Sequence, residues 1–158
     1  MEFPKRIYTV EEVERAAELV RRGYKHRLRV RGSLIFKQKV GQALKLVKTA
    51  GYYDFLRAYI CSIVEIDGIT QLREADAIIW TNNYAVQNIV DAASLFVQKA
   101  NHMEEYLEGK LYFGGAAETR SVQKRIEFLK ALEKKSRSKH VKEECGKLLR
   151  SWSESVFL

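Results

Sequence analysis

The longest helical pattern of the sequence lies in its second half. From residue 89 to residue 107 apolar residues recur at every third or fourth position, which is the spacing of one buried helix face, and Gly109 ends the pattern. These positions are Ile89, Ala92, Ala93, Phe96, Val97, Ala100, Met103 and Leu107. The only proline is Pro4, so no proline interrupts a helix further along the chain. A mostly helical protein built around this segment is therefore predicted.

Shorter patterns place the other elements. Thr9 and Glu12 have the spacing of a capping box, which predicts that a helix begins there and runs to Gly23. Further helices are predicted at about 34–50, 52–60, 116–134 and 138–152, and short strands at about 28–30, 62–66 and 77–80. We expect a single domain, 1–158, of the α+β class, mostly helical with a small sheet of about three strands.

Composition narrows the partners and the location. The chain has 28 basic and 20 acidic residues, a net charge of +8 that permits binding to nucleic acid without requiring it. It has no apolar run of about 20 residues and no apolar signal core, which predicts a cytoplasmic protein that does not enter a membrane. Cys61 and Cys145 are predicted to be two reduced thiols because they are far apart.

One segment resembles a known family. Residues 89–119 read IVDAASLFVQKANHMEEYLEGKLYFGGAAET, with small and apolar residues before Gln98-Lys99-Ala100-Asn101-His102 and a Tyr-Phe-Gly-Gly loop before Ala117-Glu118. This arrangement resembles zincin metallopeptidases of the gluzincin type, which carry HExxH on one helix and a glutamate ligand on the next. The resemblance covers mainly residues 34–131 and leaves 135–158 as a C-terminal helix. It implies a zincin-like core, with the motif helix packed on the sheet and the glutamate-bearing helix across a shallow cleft.

The segment departs from the family at two positions. In the family, ligands four residues apart grip one zinc ion, and a glutamate beside the first histidine takes a proton from the attacking water. Here Gln98 replaces the first histidine, and an amide is a poor zinc ligand. Lys99 replaces the general base with a cation. Only His102 and Glu118 remain as ligand types, fewer than the three that a catalytic zinc site uses.

The resemblance therefore implies a non-catalytic domain that has lost its zinc site and holds no metal or other cofactor. Gln98, Lys99, His102 and Glu118 are its vestigial positions, and Lys99 is expected to pair with Glu118. Such a domain would bind or regulate a protein or peptide, laid along an edge of the sheet. Two alternatives stay open: a basic helical protein that binds nucleic acid, and a metallopeptidase with a nonstandard metal site that uses His102 and Glu118.

Three further groups have a structural and a functional interpretation. Arg27, Arg29 and Arg31 alternate with apolar residues and, with His26, form either a contact surface for nucleic acid or the solvated face of an edge strand. The aromatic residues between 52 and 59 are expected to pack under the preceding helix rather than stack on bases. The carboxylates of Glu104, Glu105 and Glu108 are expected to form a solvent-facing flank.

Overall fold

The computed structural model describes residues 2–110 and 114–156. In this part of the chain the helices are α1 (Val10–Arg21), α2 (Leu34–Thr49), α3 (Tyr53–Tyr59), α4 (Ile89–Leu107), α5 (Gly115–Lys135) and α6 (Lys139–Val156). The strands are β1 (Arg29–Arg31), β2 (Ser62–Glu65), β3 (Gln71–Arg73) and β4 (Ile78–Thr81), and a 3₁₀ turn, Tyr84–Val86, follows the last of them.

The four strands form one sheet in the order β1-β2-β4-β3. β1, β2 and β4 run parallel, and β3 runs antiparallel to β4 at one edge. Parallel strands need a crossover between them. Helices α2 and α3 supply the crossover from β1 to β2, and the connection from β2 to β4 contains β3.

Local signals explain where the helices begin. Thr9 and Glu12 form the predicted capping box, in which each side chain accepts a hydrogen bond from the other residue's backbone N–H. Ser33 caps α2 through the N–H of Phe36. Asn88 caps α4, where its side-chain oxygen accepts from the N–H groups of two residues in the first turn. These caps satisfy backbone donors that have no partner within the helix.

The core lies between the sheet and the helices. Ile63 of β2 and Ile79 of β4 are fully buried and belong to the same apolar cluster as Phe36 of α2 and Phe96 of α4. α4 is the central helix, since it packs against α1, α2, α3, α5 and α6, and it also contacts β3. α5 and α6 pack on each other and on α4, so they form a further layer on the helical side.

The predicted fold class, α+β and mostly helical with a small sheet, is confirmed. The sheet has one strand more than the three that were expected, because β3 is only three residues long and reads Gln-Leu-Arg, without a run of β-branched residues. Residues 112 and 113 of the Tyr-Phe-Gly-Gly loop lie outside the described residues. Within the described residues, we find no helix with the length and apolarity needed to cross a bilayer.

Candidate functional site

Helices α4 and α5 lie side by side and join through buried polar residues rather than through apolar contact alone. On α4 the buried polar residues are Ser94, Asn101 and Glu105, and on α5 they are Ser121 and Arg125. Buried polar groups are costly unless they are hydrogen-bonded. The seam, as we call the contact between α4 and α5, is therefore a site in which hydrogen bonds between specific side chains fix the positions of the buried polar groups.

Arg125 is the centre of this seam. It is 5% exposed, and its guanidinium reaches three side chains of α4. Its Nε donates to Ser94 Oγ at 3.1 Å, its Nη1 to Gln98 Oε1 at 3.0 Å and its Nη2 to Asp91 Oδ1 at 2.8 Å. The opposite face of the seam is closed by Trp152 of α6, whose ring centroid lies 4.3 Å from the guanidinium carbon. Burial lowers the pKa of Arg125, and the charge of Asp91 opposes that shift.

A second pair lies further along the same two helices. Glu105 is 4% exposed, and its carboxylate accepts two hydrogen bonds from Arg120 of α5, at 2.9 and 3.1 Å. Asn101 donates a third at 3.3 Å. These donors, Arg120 first, lower the pKa of Glu105. The expectation that Glu105 belongs to a solvent-facing flank is therefore wrong, because the arginine across the helix pair compensates the buried charge.

Gln98 and His102 both lie half-buried on α4, but they have different surroundings. Gln98 donates to Ser121 Oγ at 3.1 Å and accepts from Arg125, so both ends of its amide are held by α5. Burial, and next the charge of Lys99, lower the pKa of His102 to about 4. The imidazole is accordingly neutral at pH 7, the form in which it can act as a metal ligand.

Lys99 is half-buried and Glu118 is exposed. Burial, and then the positive charge of Arg125, lower the pKa of Lys99, while Glu74 opposes the shift. Glu118 lies in the first turn of α5, and its backbone oxygen accepts from Ser121. No ion pair joins Lys99 to Glu118 among the described side chains. The Lys99–Glu118 pairing expected from the sequence is therefore not seen there, and the cation that donates a hydrogen bond to Gln98 is Arg125.

The residues around Gln98 do not fit a zinc ion. Within residues 2–110 and 114–156, no three side chains of the His, Cys, Asp or Glu type come together as a metal-binding group. A dication 4 Å from the buried guanidinium would also be repelled by about 8 kcal/mol at an effective dielectric of about 20, twice the value for two unit charges.

His26 is not on the surface, contrary to both interpretations made from its basic neighbours. It is 6% exposed and lies between Phe3 and Tyr24, with ring centroids 4.5 and 5.1 Å away. Its Nε2 is buried without a hydrogen-bond partner among the described residues. Burial lowers the pKa of His26 to about 4. The alternation of inward-facing and outward-facing side chains in β1 extends back to position 26, so the side chain of His26 faces inward.

The side chains of Arg27, Arg29 and Arg31 point to solvent, on the side of the chain opposite to His26. Arg29 and Arg31 are exposed in β1, an edge strand, and Arg27 is exposed immediately before it. Residues two apart on a strand point to the same face. The structure thus places these predicted contact residues on one surface.

The aromatic residues Tyr52, Tyr53, Phe55 and Tyr59 instead pack against the core, as expected. Arg125 was not predicted as a site residue, although the sequence contains a signal for it. The apolar residues of α5 at helical spacing are Val122, Ile126, Leu129 and Leu132, but Val122 and Ile126 are only half-buried. The buried face is Ala117, Ser121, Arg125, Phe128, Leu129 and Leu132. Counting back from Phe128 in steps of three or four residues reaches Arg125 and Ser121.

The chain was compared with protein-family models, with curated proteins and with solved structures, and none of them matches it. The interpretation of the site therefore depends on its own geometry and chemistry.

Proposed function

We propose that this protein is a non-catalytic domain of zincin-like architecture, which acts by binding a partner. The observation that carries the proposal is the guanidinium of Arg125 beside Gln98, at the position where the family pattern has its first zinc-binding histidine. A fixed positive charge at that point supplies the electrostatic role of the metal within the scaffold. It supplies no exchangeable water, which is the nucleophile of a zinc peptidase.

The order of elements supports the zincin-like part of the proposal. A long helix, an aromatic helix and a strand precede α4, and α5 packs on α4, an order compatible with the resemblance. The antiparallel edge strand β3 contacts α4. The charge of Glu74, in the turn after that strand, raises the pKa of Lys99 on α4 and partly offsets the effect of burial.

The edge strand β3 supports the proposal that the protein binds a partner. An unpaired strand edge presents backbone N–H and C=O groups that can pair with an extended segment of another chain. We infer that the partner is a peptide or protein segment that adds to β3. Next to this strand Ile69 is 85% exposed, so an apolar side chain is available beside the edge.

Stepwise restoration of the zinc site tests the zincin-like part. The double variant Gln98→His with Lys99→Glu rebuilds the motif but keeps Arg125, and the triple variant adds Arg125→Met. We expect tight zinc binding, measured by competition with a chromophoric chelator, only in the triple variant. A Glu118→Gln change in that background should weaken it by about tenfold or more if the glutamate supplies the third ligand.

Two results would contradict the proposal. If the triple variant folds but binds zinc no better than the wild type, positions 98, 102 and 118 do not form a site and the zincin-like interpretation is wrong. If the wild type cleaves a library of quenched fluorescent peptides and both a chelator and His102→Ala abolish the cleavage, the domain is an enzyme.

The binding mode has a separate test. Peptides selected from a random displayed library should shift the backbone amide signals of residues 71–73 in a ¹⁵N spectrum more than those of residues 29–31, the opposite edge. Shifts confined to α1 or α6 would place the partner elsewhere.

A further inference from the structure

The sheet has a second face that the helices do not cover. Because side chains alternate along each strand, register assigns the face directly. One row across the sheet consists of Arg29, Ser62, Ile78 and Arg73, and the next consists of Arg31, Val64, Trp80 and Gln71. Val64, Ile78 and Trp80 do not belong to the apolar core cluster, although their neighbours Ile63 and Ile79 do. This surface, the open sheet face, has an apolar centre between two arginine-bearing edge strands.

The charge on the open sheet face has one sign. Arg27, Arg29 and Arg31 are exposed along its β1 edge, and none of them forms an ion pair or a side-chain hydrogen bond with another described residue. No strand position of this face carries a carboxylate. The acidic residue of β2, Glu65, points to the other side, where it accepts from the N–H of Ser33. The arginines therefore have no internal anion to neutralise them.

Trp80 provides a flat group in the centre. It is half-buried, and the guanidinium carbon of Arg73 lies 4.3 Å from its ring centroid. This cation–π contact places the guanidinium over the indole ring, and both are planar groups on which a nucleic-acid base can stack. β1 and β4 are separated by β2, so Trp80 lies about 10 Å from the arginine edge.

We propose that the open sheet face binds single-stranded nucleic acid. Phosphates contact the arginines of the β1 edge, and an unpaired base stacks at Trp80 and Arg73. Stacking requires bases that are free of a complementary strand, which favours a single strand over a duplex. This site differs from the one proposed for peptide binding, although both include β3: a peptide would pair with the backbone at the edge of β3, whereas nucleic acid would contact side chains of the open sheet face.

The other basic cluster does not extend this surface. Lys130 to Lys142 lie at the junction of α5 and α6, and neither helix packs substantially on a strand. Lys134 and Arg137 of that cluster are exposed and provide a matched control, because their removal takes away the same charge as removal of two edge arginines.

Fluorescence anisotropy with labelled 15-nucleotide dT and U oligomers tests the proposal. With three arginine–phosphate contacts, the slope of log affinity against log salt should be about −2.1, so raising NaCl from about 50 to 200 mM weakens binding about 18-fold. Arg29→Ala with Arg31→Ala should reduce that slope to about −0.7. Trp80→Leu should weaken binding at least about fivefold without changing the slope, and Trp80→Phe should retain most of the affinity. Lys134→Ala with Arg137→Ala should change neither quantity. Thermal unfolding of each variant shows whether it is folded.

Several outcomes would overturn the proposal. One is the absence of binding to either oligomer at about 100 μM protein and low salt, the weak end of non-specific affinities. Another is an equal loss of affinity in the control variant, which would mean that net charge alone matters. A third is tighter binding to a 15-base-pair duplex than to its separate strands. A protein dimer that Trp80→Leu dissociates would assign the face to self-association instead.

Discussion

Replacing Arg125 with alanine should destabilise the protein by several kilocalories per mole, far more than removing an exposed charge from α5. The guanidinium is 5% exposed and donates to Asp91, Ser94 and Gln98. Without it, two side-chain oxygens of α4 lose a charged donor, and the Asp91 carboxylate loses its ion pair. The contact with Trp152 is lost as well.

The expected magnitude follows from how exposed each partner is. Removing one member of a buried ion pair typically destabilises by about 3 to 5 kcal/mol. Asp91 remains 38% exposed, so water can solvate part of its carboxylate and the lower end applies, about 3 kcal/mol. For a chain of this size, such a loss lowers the melting temperature by about 6 to 12 °C.

Urea denaturation followed by circular dichroism measures this change. Lys130→Ala is the control on the same helix, because Lys130 is exposed and should change stability by less than about 0.5 kcal/mol. Arg125→Met retains part of the packing against Trp152 and should lose less than the alanine variant. A loss below about 1 kcal/mol for Arg125→Ala would refute the reasoning, since it would mean that the network contributes no net stability.

Three further predictions concern residues outside this network. Burial lowers the pKa of His26 to about 4, so protonation of this residue in the unfolded chain should destabilise the fold by about 3 kcal/mol as pH falls from 6.5 to 4. His26→Phe should remove that part of the pH dependence, measured by urea titrations at pH 7 and pH 4, and an unchanged dependence would contradict the prediction. Gly32→Ala should destabilise the protein by about 2 kcal/mol or more, because Gly32 has φ +154° and an added Cβ would lie 2.7 Å from the Cβ of Glu65. Gly41→Ala, where a helix position has open space around it, should instead stabilise by about 0.5 to 1 kcal/mol, and equal effects of the two changes would refute this prediction. Thr9→Ala should lose about 1 kcal/mol through the capping box, measured in the same way, and no loss would show that the end of α1 frays freely.

Most of the fold could be predicted because its signals are local. The apolar spacing of α4 and the capping box at Thr9 depend on residues within one or two turns of each other. β3 could not be predicted in the same way, since three residues without β-branched side chains form a strand only because β4 lies beside them.

The sequence by itself determined that positions 98 and 102 lie one turn apart on α4, and that Arg27, Arg29 and Arg31 point to one side of their strand. Only the tertiary structure decided that Gln98 meets Arg125 while Glu118 stays exposed, that His26 is enclosed by aromatic rings, and that one face of the sheet is left open. The physical reason is that backbone periodicity sets which residues share a face, whereas the rotation and offset of one element against another result from packing over the whole core.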